Sequence, residues 1–175
     1  MKVQIVLGGV GGQGLVSSGE VLGLAASAYE NLHSTLSVAY GSETRGTFTK
    51  AEVIISDKMI SYPNVPKPDV MLCLAQVAYD RYVDLFEDGT VIVYDSGSVQ
   101  PRAGAKGRHI GHPLHQIAAD LGEAAAMNSV GLGVMMGASG FLQKEGVLKA
   151  IAAYFSDKPH VVEVNQRAIQ LGLGL

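Results

Sequence analysis

Five glycines in seven positions follow directly on a short apolar run at the start of the chain: Val3 to Leu7 is succeeded by Gly8, Gly9, Val10, Gly11, Gly12, Gln13 and Gly14. Valine, isoleucine and leucine in the run predict a buried strand, and the glycines close it with a turn. Gln13 to Tyr29 then carries apolar residues near helical spacing. Strand, glycine turn and helix form the opening of a βαβ unit, which commits the chain to an α/β architecture from the outset.

The rest of the sequence keeps that alternation. Leu36 to Val38 and Phe48 to Ile55 predict two further strands, the second containing Val53, Ile54 and Ile55. Three prolines between Ser61 and Val70 mark an extended connection, and Val70 to Leu74 reads as a buried parallel strand. A helix over Val77 to Leu85, the Asp88-Gly89 turn and a strand over Val91 to Tyr94 come next, closed by Asp95-Ser96-Gly97. Beyond Pro101 the segment to His109 reads as an irregular loop, and the remainder is helical: Pro113 to Leu121, Ser129 to Leu142, Gly146 to Phe155, and a last helix opened by Pro159 with Gly172 near its end. The expected fold is a Rossmann-like, three-layer α/β/α arrangement with a mostly parallel sheet, in one domain spanning residues 1–175.

Composition narrows the partners. Thirteen basic residues against 16 acidic ones leave no positive field for nucleic acid or an anionic membrane. The uncharged run Asn128 to Gln143 is glycine-rich and shorter than the roughly 20 apolar residues of a bilayer span. The opening strand lacks a small-residue cleavage site, so no signal peptide is expected. A lone cysteine, Cys73, cannot staple the fold or hold a structural zinc or iron–sulfur cluster by itself, and it points to a reducing cytoplasm. Low charge, 17% of residues, combined with 22 glycines suits a surface partly hidden against other subunits.

Gly9, Gly11 and Gly14 fit GxGxxG between strand and helix, and with Gly12 and Gln13 they make a candidate phosphate-binding loop. Tight packing of the first helix on the sheet explains the same glycines, and both readings stand. A nicotinamide dinucleotide would also need an acid at the end of the second strand, where Ala39-Tyr40-Gly41 offers none and Glu30 precedes the strand. A second constellation, Tyr40, Ser42, Glu43 and Arg45, falls at the carboxyl end of that strand, where open α/β sheets collect ligands. Arg45 could clamp a phosphate or carboxylate in bidentate fashion, or simply pair with Glu43 in a solvated loop.

Other residues have structural explanations. Gly111 and Pro113 interrupt any helix through His109, His112 and His115, so a shared metal is not expected. Cys73 inside an apolar run reads as a buried hydrophobe, and Asp95-Ser96 as turn chemistry. Gly131, Gly133, Gly137 and Gly140 each cost a helix roughly 1 kcal/mol, which calls for close approach of the sheet or another backbone. Asn128 or Ser129 is expected to cap that helix.

Taken together, these segments resemble the gamma subunits of 2-oxoacid:ferredoxin oxidoreductases, of the pyruvate/ketoisovalerate oxidoreductase catalytic domain family. The resemblance runs nearly end to end: GGVGGQGL at Gly8 to Leu15, YGSETRG at Tyr40 to Gly46, AEVIIS at Ala51 to Ser56, PDVMLCL at Pro68 to Leu74, the Asn128 helix with Leu132-Gly133, and VVEVNQRAIQLG at Val161 to Gly172. One departure is that many relatives follow the arginine with two glycines, whereas here Gly46 and Thr47 follow Arg45. The resemblance implies a chain that binds no cofactor alone. Partner alpha and beta subunits would carry thiamine diphosphate and magnesium, and a ferredoxin-like delta subunit the iron–sulfur clusters. The assembly would decarboxylate a 2-oxoacid, reduce ferredoxin and form an acyl-CoA from coenzyme A; YGSETRG most resembles the 2-oxoglutarate or branched-chain types, and 2-oxoglutarate is the expected substrate. The glycine loop and Glu43-x-Arg45 would border the coenzyme A path or a subunit contact. Two other readings remain: a stand-alone NAD(P)-binding reductase, and a purely structural interaction subunit.

Overall fold

The structure, a computed structural model, describes residues 1–40 and 47–175. Among these residues the strands are β1 (Lys2–Val10), β2 (His33–Tyr40), β3 (Phe48–Ser56), β4 (Val70–Cys73), β5 (Val91–Asp95) and β6 (Arg108–His112). The helices are α1 (Leu15–Leu24), α2 (Gln76–Tyr82), α3 (Leu114–Asp120), α4 (Met127–Ser139), α5 (Lys144–Tyr154) and α6 (Pro159–Leu173). A π-helical turn over Ala25–Tyr29 extends α1, and short 3₁₀ turns follow α2 and precede α4.

The strands form one sheet in the order β2-β3-β1-β4-β5-β6. β1, β4, β5 and β6 pair in parallel, whereas β3 runs antiparallel to both β1 and β2. Five strands therefore share one direction. The expected mostly parallel sheet is correct, with β3 as the exception. Period-two alternation sends Ile5, Leu7, Val53, Ile55, Val70, Leu72 and Val93 to one face and Val6, Ile54, Met71, Cys73 and Ile92 to the other. α1, α3 and α4 cover the first face, with α5 and α6 packed on α1 and α4, while α2 covers the second. Helices on both sides make the three layers.

β6 corrects the irregular loop expected up to His109. Its five residues contain one β-branched side chain, and its edge position is held by the backbone: Arg108 N–H donates to the Thr90 carbonyl at 2.7 Å and Ser96 N–H to that of His112 at 2.9 Å. The strand also places His109 against Tyr79, whose hydroxyl lies 2.9 Å from Nε2, within a group of rings that includes Phe86 and Tyr94.

The glycines of α4 find their close approach within this chain. A Cβ on Gly131 would stand 2.6 Å from Leu72 Cδ1 on the sheet. On the far side, a Cβ on Gly133 would overlap the Ile169 carbonyl of α6, and one on Gly172 would overlap the Val130 carbonyl of α4. Three glycines within α4 cost on the order of 3 kcal/mol of helix propensity, offset by an α4–α6 crossing at backbone contact.

Candidate functional site

β1 does not stop at Leu7 but continues through Gly8 and Gly9 to Val10, paired with β3 along its whole length. Gly9 therefore belongs to the strand, and the turn proper is Gly11 to Gly14. Gly12 (φ 92°) and Gly14 (φ 72°) adopt left-handed backbone, which L-residues with side chains resist. Gly14 is also the N-cap of α1, whose first turn carries no acidic residue and whose cap makes no side-chain hydrogen bond.

Two carboxamides fix the turn. Gln13 folds back over Gly9, its Oε1 accepting from Val10 N–H at 2.8 Å and its Nε2 donating to the Leu74 carbonyl at 3.2 Å. It thus bridges the carboxyl ends of β1 and β4. Asn128 holds the other end: Nδ2 donates to the Gly14 carbonyl and to Ser18 Oγ, both at 3.1 Å, while Oδ1 accepts from Ser129 N–H at 2.8 Å. Asn128 is therefore no N-cap of α4 but a strut between α4 and the turn; Ala126 occupies the cap position. Ser129, also expected as a cap, donates instead to Asn165 Oδ1 of α6 at 2.6 Å.

Outside this braced backbone, a Cβ on Gly12 would meet nothing within 4 Å among the described residues. A cavity of about 110 Å³ lies against the turn, lined by Gly11, Gly12, Gln13, Gly14, Tyr40 and Thr49 among others. The structure thus brings Tyr40, 70% exposed at the end of β2, to the glycine loop. Ser42, Glu43 and Arg45 lie outside the described residues. A second cavity, about 270 Å³, adjoins at Gly14 and Ser17 and extends between Asn128, Phe155, His160 and Val164. Sequence reading missed it, because its walls come from four separated stretches of chain. Together the two cavities give an exposed glycine edge with an apolar recess beside it, able to receive an extended ligand or a partner segment.

Glu30 does not reach the glycine turn. Its Oε1 accepts from Gln143 N–H at 2.7 Å, at the start of α5. Burial pushes the Cys73 thiol well above its ordinary range, which removes it as a nucleophile. Asp95 is buried and accepts from Ser98 Oγ at 2.7 Å, in agreement with turn chemistry. A buried cluster missed in the sequence joins Glu52 to Lys50 at 2.6 Å and to the Tyr82 hydroxyl at 3.5 Å. Burial draws the Lys50 pKa down, but the hydrogen bonds to Glu52 and Tyr82 prevail and hold it above the ordinary value. Among the described residues no group of three histidine, cysteine, aspartate or glutamate side chains could hold a metal ion.

The family model for pyruvate ferredoxin/flavodoxin oxidoreductase matches residues 4–175. The 2-oxoglutarate synthase subunit KorC of Methanocaldococcus jannaschii is 37% identical over 156 residues, which cover 86% of this chain and 82% of that protein. The ketoisovalerate oxidoreductase subunit VorA of Methanothermobacter thermautotrophicus is 38% identical over 98% of this chain but only 36% of its own length, so the chain spans about a third of that relative. Among solved structures, the gamma subunit of a keto/oxoacid ferredoxin oxidoreductase from Geobacter sulfurreducens superposes with a TM-score of 0.87 at 32% identity, over 99% of this chain and 95% of that one.

Proposed function

The chain belongs to the pyruvate ferredoxin/flavodoxin oxidoreductase family, and on that premise we propose that it is the gamma-type subunit of a multi-subunit 2-oxoacid:ferredoxin oxidoreductase acting on 2-oxoglutarate. The observation that carries this reading is the near full-length similarity to KorC, a subunit of 2-oxoglutarate synthase of about the same size. The complex decarboxylates the 2-oxoacid, passes two electrons to ferredoxin and transfers the acyl group to coenzyme A.

The described residues of this chain show no metal-ligand set. Its one cysteine is buried in β4, and the described residues offer no cluster of acidic or imidazole ligands. On the resemblance to the family, the proposal assigns thiamine diphosphate, magnesium and iron–sulfur clusters to alpha, beta and ferredoxin-like delta partners, with this chain inactive alone. Its contribution is a shaped surface: the Gly11 to Gly14 turn with Tyr40 borders the coenzyme A path or a subunit contact, and the same role is assigned, from the sequence alone, to Ser42, Glu43 and Arg45 outside the described residues. A single domain over residues 1–175 and a cytoplasmic setting complete the proposal. No helix among the described residues is long and apolar enough to cross a membrane.

The test is anaerobic purification of the tagged chain at native expression, with the eluate assayed for coenzyme A-dependent reduction of a viologen dye across a panel of 2-oxoacids. Co-purifying thiamine- and iron–sulfur-bearing subunits with greatest activity on 2-oxoglutarate are expected. A chain recovered alone that binds NAD(P) would overturn the reading, and greater activity on a branched-chain 2-oxoacid would overturn the substrate.

A further inference from the structure

Open α/β sheets bind ligands in the crevice beyond the carboxyl ends of their strands, where the chain departs to opposite sides. Here that crevice lies between β1, which leads on to β2 and β3, and β4, which leads on to β5 and β6. It is already occupied. The polar groups that a ligand would engage there, Val10 N–H and the Leu74 carbonyl, are both spent on the Gln13 carboxamide, which fits only because Gly9 has no side chain.

We infer that Gln13 is a positioning residue, an internal plug that excludes ligand from the β1–β4 crevice and presents the outer face of the Gly11 to Gly14 turn to coenzyme A. The inference rests on the proposed function. Gln13 N–H also meets the Val10 carbonyl at 3.4 Å, so the residue is tied to the strand end by both backbone and side chain. Gly12, next in the turn, has no described residue within 4 Å of a Cβ and lines the cavity shared with Tyr40 and Thr49. With the amide seated, the left-handed backbone at Gly12 and Gly14 is held in one arrangement, and the loop needs no ordering when ligand arrives. Without it, Val10 N–H and the Leu74 carbonyl lose their partner and the crevice opens to water.

The experiment uses the anaerobically purified complex carrying wild-type chain, Gln13→Ala, Gly9→Ala or both. A Cβ at position 9 would overlap Gln13 Oε1, the far end of a flexible side chain, so Gly9→Ala evicts the amide without deleting it. Each single variant is expected to raise the KM for coenzyme A by about tenfold, the worth of a lost hydrogen-bonding group, with the KM for the 2-oxoacid unchanged. The double variant should be no worse than either single one, because both remove the same seated amide. Gly9→Ala carries the test by itself if Gln13→Ala does not assemble. Assembled variants with unaltered coenzyme A KM, or with both KM values rising together alongside a lower melting temperature, overturn the positioning role. Those results leave the proposed function standing, since it is the wild-type complex that tests it. A wild-type complex without coenzyme A-dependent activity removes that reading and this inference with it.

Discussion

Two groups of glycine in this chain do opposite work. At the α4–α6 crossing, Gly133 and Gly172 have no room for a side chain, because the atoms in the way are the backbones of the opposing helices. At the glycine turn, no described residue crowds Gly12, and among these residues only its left-handed backbone excludes a side chain. The first kind of glycine reports packing. The second reports a surface kept bare, which packing alone does not require. A motif count treats the two alike, whereas the neighbour that a Cβ would strike tells them apart.

The largest effect should come from the crossing. Gly172→Ala places a methyl group into the Val130 carbonyl, with Gly133 Cα and Val134 N also at 3.0 Å, and neither helix can yield without leaving the core. Overpacking of this kind costs at least about 3 kcal/mol. In a chain of this length it should lower the melting temperature by on the order of 10 °C, read by circular dichroism of the complex. A loss below about 1 kcal/mol would mean that the helices slide apart easily and that the crossing is not what demands glycine. Asn128→Ala comes next. It strips the partner from the buried Ser18 hydroxyl and removes one of two donors from the Gly14 carbonyl, which keeps Ser18 N–H, a cost of about 2 kcal/mol. It should also increase hydrogen exchange at the turn more than at the crossing, and equal increases at both would erase the distinction between them.

How much of this was legible beforehand differs by region. Apolar runs alternating with helical periodicity pointed to the α/β class, and the positions of β4 and β5 follow from their continuous apolar runs. The antiparallel course of β3 could also have been read, because the stretch between Tyr40 and Phe48 is too short for a parallel crossover of a dozen or more residues. β6 was not readable. Arg108 to His112 lacks a β-branched run, and its place on the sheet depends on backbone bonding to β5 and neighbouring residues. Within the site, the glycine turn announced itself, but its braces did not. Gln13 meets Leu74 across 61 positions and Asn128 meets Gly14 across 114. Contacts at such separations leave no periodic trace in a single sequence, and a carboxamide beside a helix start reads first as a cap.

Gly12→Ala sharpens the comparison from the other side. No described residue obstructs its methyl group, so against these residues the cost is the left-handed backbone alone, about 1 kcal/mol. If the turn serves only to pack α1, that small loss is the whole phenotype. If the bare face is used, the complex should assemble normally and still show a higher KM for coenzyme A.

The smallest effect should have the opposite sign. Gly89 sits in the turn before β5, also with nothing within 4 Å of a Cβ among the described residues, but without the left-handed backbone of Gly12. Alanine there meets neither obstacle, and it narrows the conformations open to the unfolded chain. Gly89→Ala is therefore expected to stabilise by about 0.5 kcal/mol, seen as a rise in melting temperature of a degree or two with assembly and kinetics unchanged. Subtracting this baseline from Gly12→Ala isolates the backbone term at the candidate site. A destabilised Gly89→Ala variant would show that open space around a glycine is a poor guide to its tolerance, and the contrast between turn and crossing would then rest on the crossing alone.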